Sequence, residues 1–151
     1  MLRELVEKKH ICFHDGFESW QDAIQAACEP LLADRTIEQQ YVEAIISCIQ
    51  EYGPYIVIAP DIAMPHSTES AKGVNGTAIG FMKVKHPVAF DKEDREKDAR
   101  LFFTLASVDH EQHLSNMMRL SELLMNESIV SALLDANSEK DLLAIADQFQ
   151  L

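Results

Sequence analysis

The stretch Gly53-Pro54-Tyr55-Ile56-Val57-Ile58-Ala59-Pro60-Asp61-Ile62-Ala63-Met64-Pro65-His66-Ser67-Thr68 holds a helix stop, a strand and a loop in immediate succession. Gly53-Pro54 ends the helix before it, because glycine accepts a left-handed cap and proline cannot continue the hydrogen-bond ladder. Tyr55-Ile56-Val57-Ile58 is a short apolar run that fits a buried strand. It gives way to a loop containing Pro60 and Pro65. Pro65 has a fixed φ and restricts Met64, so His66 is presented from a stiff loop rather than from a helix. Ser67 and Thr68 follow with hydroxyls and backbone N–H groups that can hold an anion beside the ring. An ordinary turn histidine reads the same from composition alone.

On the N-terminal side, residues 10–14 read as a short strand with Ile11 and Phe13 on one face. Trp20, Ala23, Ile24, Ala27, Cys28, Leu31 and Leu32 then recur at helical spacing, with Ser19 and Asp22 as a capping box. Pro30 should kink that helix or end it early. Thr36 with Gln39 should cap the next helix, whose apolar face carries Ile37, Tyr41, Ile45, Cys48 and Ile49. On the C-terminal side, residues 76–85 and 99–107 read as strands, separated by a solvated charged turn over 91–98. Helices follow over about 111–125, 127–134 and 140–148, with Ser138 and Asp141 capping the last. Strands interleave with helices and no repeat or linker interrupts them. The expected fold is therefore α/β, a single domain over 1–151 forming a sandwich with a mixed β-sheet flanked by helices.

Composition narrows the function. The chain has 25 acidic and 13 basic residues and a formal charge of −12, which repels nucleic acid and anionic lipid. That charge suits a partner with a basic docking face, and equally serves solubility alone. No apolar run is long enough to span a membrane, and the charged, periodic start does not read as a signal peptide, so a cytoplasmic protein is expected. The three cysteines, Cys12, Cys28 and Cys48, include no C-x-x-C pair, which argues against a disulfide framework or zinc ribbon. Cys28 and Cys48 fall on apolar helix faces as small core residues.

Six histidines are present. His10, His14 and His86 read as surface or satisfied core residues, His86 at a strand-end turn before Pro87. Asp109-His110-Glu111-Gln112-His113-Leu114 opens a helix, with Asp109 as its N-cap and His113 in the first turn, where the dipole favours negative charge. His110 and His113 share a helix face, and with Asp109, Glu111 or His66 they raise a metal-site reading. No H-E-x-x-H motif or cysteine ligand supports it. There is no G-x-S-x-G elbow and no glycine-rich phosphate loop, which argues against a serine hydrolase or nucleotide kinase.

Three motifs in order resemble the enzyme IIA components of the mannitol/fructose class of the phosphoenolpyruvate-dependent sugar phosphotransferase system. Ile62-Ala63-Met64-Pro65-His66 is similar to that family's I-A-x-P-H motif, and Lys85-His86-Pro87-Val88-Ala89-Phe90 to its V-x-F strand end. His113-Leu114 with Met118, Leu120, Leu123 and Leu124 resembles its H-[IL]-x-x-[IL]-x-x-L helix. The similarity runs from about residue 4 to 148. The run from Gly53 to Pro60, and Val108-Asp109 spaced to His113, look most like the L-ascorbate branch. The mannitol branch has an arginine sixteen residues before the active histidine, where this chain has Gln50.

The resemblance implies that His66 is the phosphorylated histidine, reacting through Nε2, and that His113 is the second active-site histidine. It implies HPr as phosphoryl donor, a cysteine of a IIB component as acceptor, and a membrane IIC component as an indirect partner. Phosphoryl-stabilising roles then fall to Ser67, Thr68 and His113, with no cofactor or metal required. Ile62 and Met64 are candidates for a shallow docking patch or for the core. Oligomeric state stays open, as does the choice among a transport component, a regulatory phosphoprotein of the same fold and a metal-dependent hydrolase.

Overall fold

The computed structural model describes residues 1–68 and 72–151. Its elements are α1 (Leu2–Glu7), β1 (Ile11–His14), α2 (Trp20–Ala33), α3 (Gln39–Tyr52), β2 (Val57–Ala59), β3 (Asp61–Ala63), β4 (Ala78–Val88), β5 (Ala99–Ala106), α4 (His110–Leu124), α5 (Glu127–Asp135) and α6 (Glu139–Phe149). The five strands form one mixed sheet in the order β1-β4-β5-β3-β2. β1 runs parallel to β4 and β3 parallel to β5, while β4–β5 and β2–β3 are antiparallel.

Strand alternation divides the apolar residues between two cores, one on each face of the sheet. Met82, Val84, Phe102 and Ala106 face α2 and α3, joining Ile24, Leu31, Val42 and Ile45. Ile79, Phe81, Leu101, Phe103 and Leu105 face the other way, joining residues of α1, α4, α5 and α6 such as Leu5, Leu120, Leu133 and Leu142. The expected sandwich is present, with helices on both sides. Ser19, Asp109 and Ser138 each cap their helix, accepting a hydrogen bond from the backbone N–H three residues on.

Several local expectations are corrected. Of the two outcomes expected at Pro30, a kink or an early end, the early end does not occur, and α2 runs on to Ala33. Proline removes the N–H that would bond the Ala26 carbonyl, and the Cys12 thiol donates to that carbonyl instead, at 3.7 Å. Thr36 does not cap α3: its hydroxyl donates to Asp34 at 2.6 Å, and the N-cap is Glu38, without a side-chain cap bond. The run Tyr55–Ile58 is not a buried strand. Tyr55 and Ile56 lie in the turn after Gly53, β2 is a three-residue edge strand, and Ile58 is exposed. The segment read as a loop contains β3, joined to β2 by a tight reversal at Pro60 with Asp61 at φ 69°. β4 continues through His86 and Pro87 to Val88, and a register shift against β5 accommodates the proline. The charged segment at 91–98 holds a short 3₁₀ turn whose last neighbour, Asp98, is buried and paired with Arg95 at 2.7 Å.

Candidate active site

β3 and β5 are parallel, so their carboxyl ends lie side by side, the position at which α/β sheets usually place a site. The loop carrying His66 leaves β3, and α4, carrying His113, follows β5. The Met64 N–H donates to the Ile56 carbonyl at 2.8 Å, fastening the loop to its own hairpin. Ile62 and Met64 are both core residues, so neither forms a docking patch.

The imidazole of His66 is partly buried, and its Nδ1 lies 2.6 Å from the Met64 carbonyl oxygen. A carbonyl only accepts, so Nδ1 carries the proton and donates, and Nε2 keeps a free lone pair. The Tyr55 hydroxyl donates to the His66 backbone carbonyl. The Tyr55 ring meets the imidazole edge-on, with centroids 5.3 Å apart and planes at 89°. The ring centroid of His113 lies 5.5 Å from that of His66, with the planes at 46°. Burial lowers the pKa of His66, opposed by the Met64 hydrogen bond. Burial also lowers that of His113, helped by the charges of His66 and then His110. Both rings are thus biased towards the neutral form near pH 7.

Ser67 and Thr68 follow His66, and their hydroxyls lie 3.7 and 3.4 Å from the Cys48 sulfur. The Ser67 N–H donates to the Tyr41 hydroxyl at 3.4 Å, and that hydroxyl donates to the Leu105 carbonyl at 2.7 Å. Cys48 is a core residue, as expected, but one that backs the active loop. Tyr41, Tyr55 and Cys48 are contributors that sequence reasoning passed over. The available signal was a polar-tipped aromatic directly after the helix-stopping Gly53-Pro54.

His110 is exposed in the first turn of α4. Among the described residues, no group of three or more His, Cys, Asp or Glu side chains is placed to hold a metal ion. His10 is buried and bonded to Asp34 at 2.5 Å, a satisfied core histidine. His14 packs against Phe17, and His86 is exposed. Gln50 is exposed on α3, and no arginine takes part in the contacts described around His66.

A neutral imidazole with one nitrogen tied and the other open has the chemistry to act as a nucleophile. Comparison with known proteins gives the chain a family. The family model "Phosphoenolpyruvate-dependent sugar phosphotransferase system, EIIA 2" matches residues 4–148. The ascorbate-specific PTS system EIIA component of Shigella boydii serotype 4 (strain Sb227) is 31% identical over 145 residues, covering 95% of this chain and 93% of that protein. Among solved structures, the mannitol-specific cryptic phosphotransferase enzyme IIA CmtB of Escherichia coli superposes with a TM-score of 0.84 at 31% identity, covering 97% of this chain and 98% of that one. The complex of enzyme IIA-Mtl with phosphorylated enzyme IIB-Mtl of Escherichia coli shares the fold, with a TM-score of 0.78 at 24% identity over 93% of this chain and 95% of that one. The chain belongs to the EIIA 2 family of the phosphoenolpyruvate-dependent sugar phosphotransferase system, whose members are phosphotransferase carriers.

Proposed function

We propose that His66 accepts a phosphoryl group from phospho-HPr and donates it to a cysteine of a IIB component, in cytoplasmic service of sugar uptake through a membrane IIC partner, with L-ascorbate as the sugar. The observation that carries this reading is the hydrogen bond from His66 Nδ1 to the Met64 carbonyl, which leaves Nε2 as the open nitrogen. The ascorbate assignment draws on the relatives' names and on the resemblance of the run from Gly53 to Pro60.

The Nε2 lone pair attacks phosphorus as the donor's P–N bond breaks, with the ring's own proton held on Nδ1. In the second half, a cysteine thiolate attacks phosphorus and the P–N bond at His66 breaks, returning the lone pair to Nε2. The transition state of such a transfer is loose, with charge on the equatorial oxygens, so alignment and fixed donors matter more than acid–base chemistry. An N–H of His113, whose ring centroid lies 5.5 Å from that of His66, is a candidate side-chain donor. The first turn of α4 adds unpaired backbone N–H groups and the positive end of the helix dipole. Backbone and hydroxyl donors of Ser67 and Thr68 are the remaining candidates, their hydroxyls being engaged with Cys48 in the unphosphorylated protein. Docking falls to α4 and the turn before it: Val108, Leu114 and Met118 are 52%, 47% and 65% exposed close to His113 in the chain.

The test is to incubate the protein with phosphoenolpyruvate, enzyme I and HPr, and to record intact mass beside His66→Ala. One acid-labile phosphoryl on the wild type alone supports the carrier reading, and its loss on adding an ascorbate-type IIB component supports the acceptor. An unmodified wild type in the presence of active phospho-HPr refutes it. Retention of the group in the presence of IIB favours the regulatory phosphoprotein.

A further inference from the structure

We infer that Tyr55 is a positioning residue for the transfer at His66, its hydroxyl fixing the His66 backbone and its ring fixing the imidazole so that Nε2 stays unprotonated. The inference rests on the reading of His66 as the phosphoryl carrier. Neutral histidine has two tautomers, and the hydrogen bond made by one nitrogen decides which of them is populated. A free imidazole side chain favours the proton on Nε2, which would occupy the very lone pair that attacks phosphorus. The Met64 carbonyl reverses that preference, and it lies only two residues away. A bond between such near neighbours survives only while the backbone and ring torsions of His66 keep one setting.

Tyr55 supplies that constraint from outside the loop. Its hydroxyl holds the His66 carbonyl, which fixes the peptide plane after His66. Its ring, set at 89° to the imidazole, limits rotation of the imidazole. Tyr55 is itself immobilised by a local turn: Gly53 sits at φ 81°, the Tyr55 N–H donates to the Gly53 carbonyl at 2.8 Å, and the Val57 N–H donates to the Pro54 carbonyl at 3.1 Å. Glycine is needed there for the left-handed φ. Burial raises the pKa of the Tyr55 phenol, so it remains a protonated donor across the working pH range. The Tyr55 hydroxyl bonds the His66 backbone rather than Nε2, so Tyr55 acts through His66.

The experiment compares the full chain as wild type, Tyr55→Phe and Ile45→Val. Tyr55→Phe keeps the ring and removes the hydroxyl. Ile45→Val trims the core contributed by α3 and leaves the Tyr55 and Met64 hydrogen bonds to His66 in place. The ring nitrogens of His66 are read by long-range ¹H–¹⁵N correlation above its pKa, and transfer from phospho-HPr is measured at varied HPr concentration. The wild type should show a single tautomer protonated at Nδ1. Tyr55→Phe should show a mixture with Nε2–H, with kcat reduced about tenfold and KM unchanged. Ile45→Val should match the wild type. A wild-type tautomer or an unchanged kcat in Tyr55→Phe overturns the inference, as does the same tautomer mixture in Ile45→Val. A wild type that phospho-HPr does not phosphorylate refutes the carrier reading instead, and the tautomer comparison separates the two failures.

Discussion

The backbone N–H of Leu105 donates to the carbonyl of Pro65 at 2.9 Å. The loop that presents His66 is thereby fastened to β5, the strand that leads into the helix bearing His113. Two histidines far apart in the chain are thereby tied to the same strand, His66 by this bond and His113 through the turn from β5 into α4.

Replacing His113 should slow phosphoryl transfer without abolishing it. Loss of one fixed donor to a developing anion costs about a hundredfold in rate. His113→Ala should therefore still carry a phosphoryl group on His66, reached about a hundredfold more slowly in a rapid-quench time course. A phosphoryl group mapped to His113 in the wild type would reverse the roles.

Acidification should expose the lowered pKa values of His66 and His113. A histidine whose folded pKa lies below the ordinary value of 6.5 binds fewer protons folded than unfolded just beneath that value. Stability is then complete above pH 6.5 and falls as the pH drops towards the depressed folded values. Urea denaturation at several pH values should show that slope, reduced in His66→Gln. Transfer rate should hold level past pH 6.5 on the way down, because the attacking ring stays neutral there.

The docking role proposed for the exposed apolar residues of α4 is open to direct test. Met118→Asp puts a charge on the docking face without entering the core. It should raise KM for phospho-HPr by about tenfold or more and leave kcat unchanged. Steady-state transfer assays read both parameters, and an unchanged KM would place the docking face elsewhere. Added salt should also slow association if the negative charge of −12 steers a basic partner.

Gly73 supports the site from behind. Its φ is +83°, and a Cβ there would lie 2.9 Å from the Tyr41 backbone nitrogen. Gly73→Ala should lower stability by about 1–3 kcal/mol through strain and displacement of the α3 N-terminus. Thermal melts would measure it, and a variant as stable as the wild type would contradict the geometry.

The features legible in sequence were those decided by near neighbours. The Ser19, Asp109 and Ser138 caps act over three residues, so their side chains announce them. Which of the two outcomes holds at Pro30, a kink or an early end, was not legible, because the substitute donor, Cys12, arrives from β1. β3 was missed because Pro60 and Asp61 break a run that tertiary pairing with β5 restores. The pairing of His66 with His113 entered through family resemblance, and 5.5 Å between ring centroids is its geometric counterpart. The hydroxyl of Tyr55 carries no sequence periodicity at all; its partner is identified only once the hairpin and loop have folded together.

The bond from His66 Nδ1 to the Met64 carbonyl has a consequence for a phosphorylated ring. With phosphorus on Nε2 and the proton still held on Nδ1, the imidazole carries positive charge and is a good leaving group. Loss of that proton would give a neutral ring whose P–N bond breaks less readily. The same backbone carbonyl that opens Nε2 to attack therefore keeps the attached group easy to remove. A single main-chain oxygen favours both loading and unloading, as a carrier working between two partners requires.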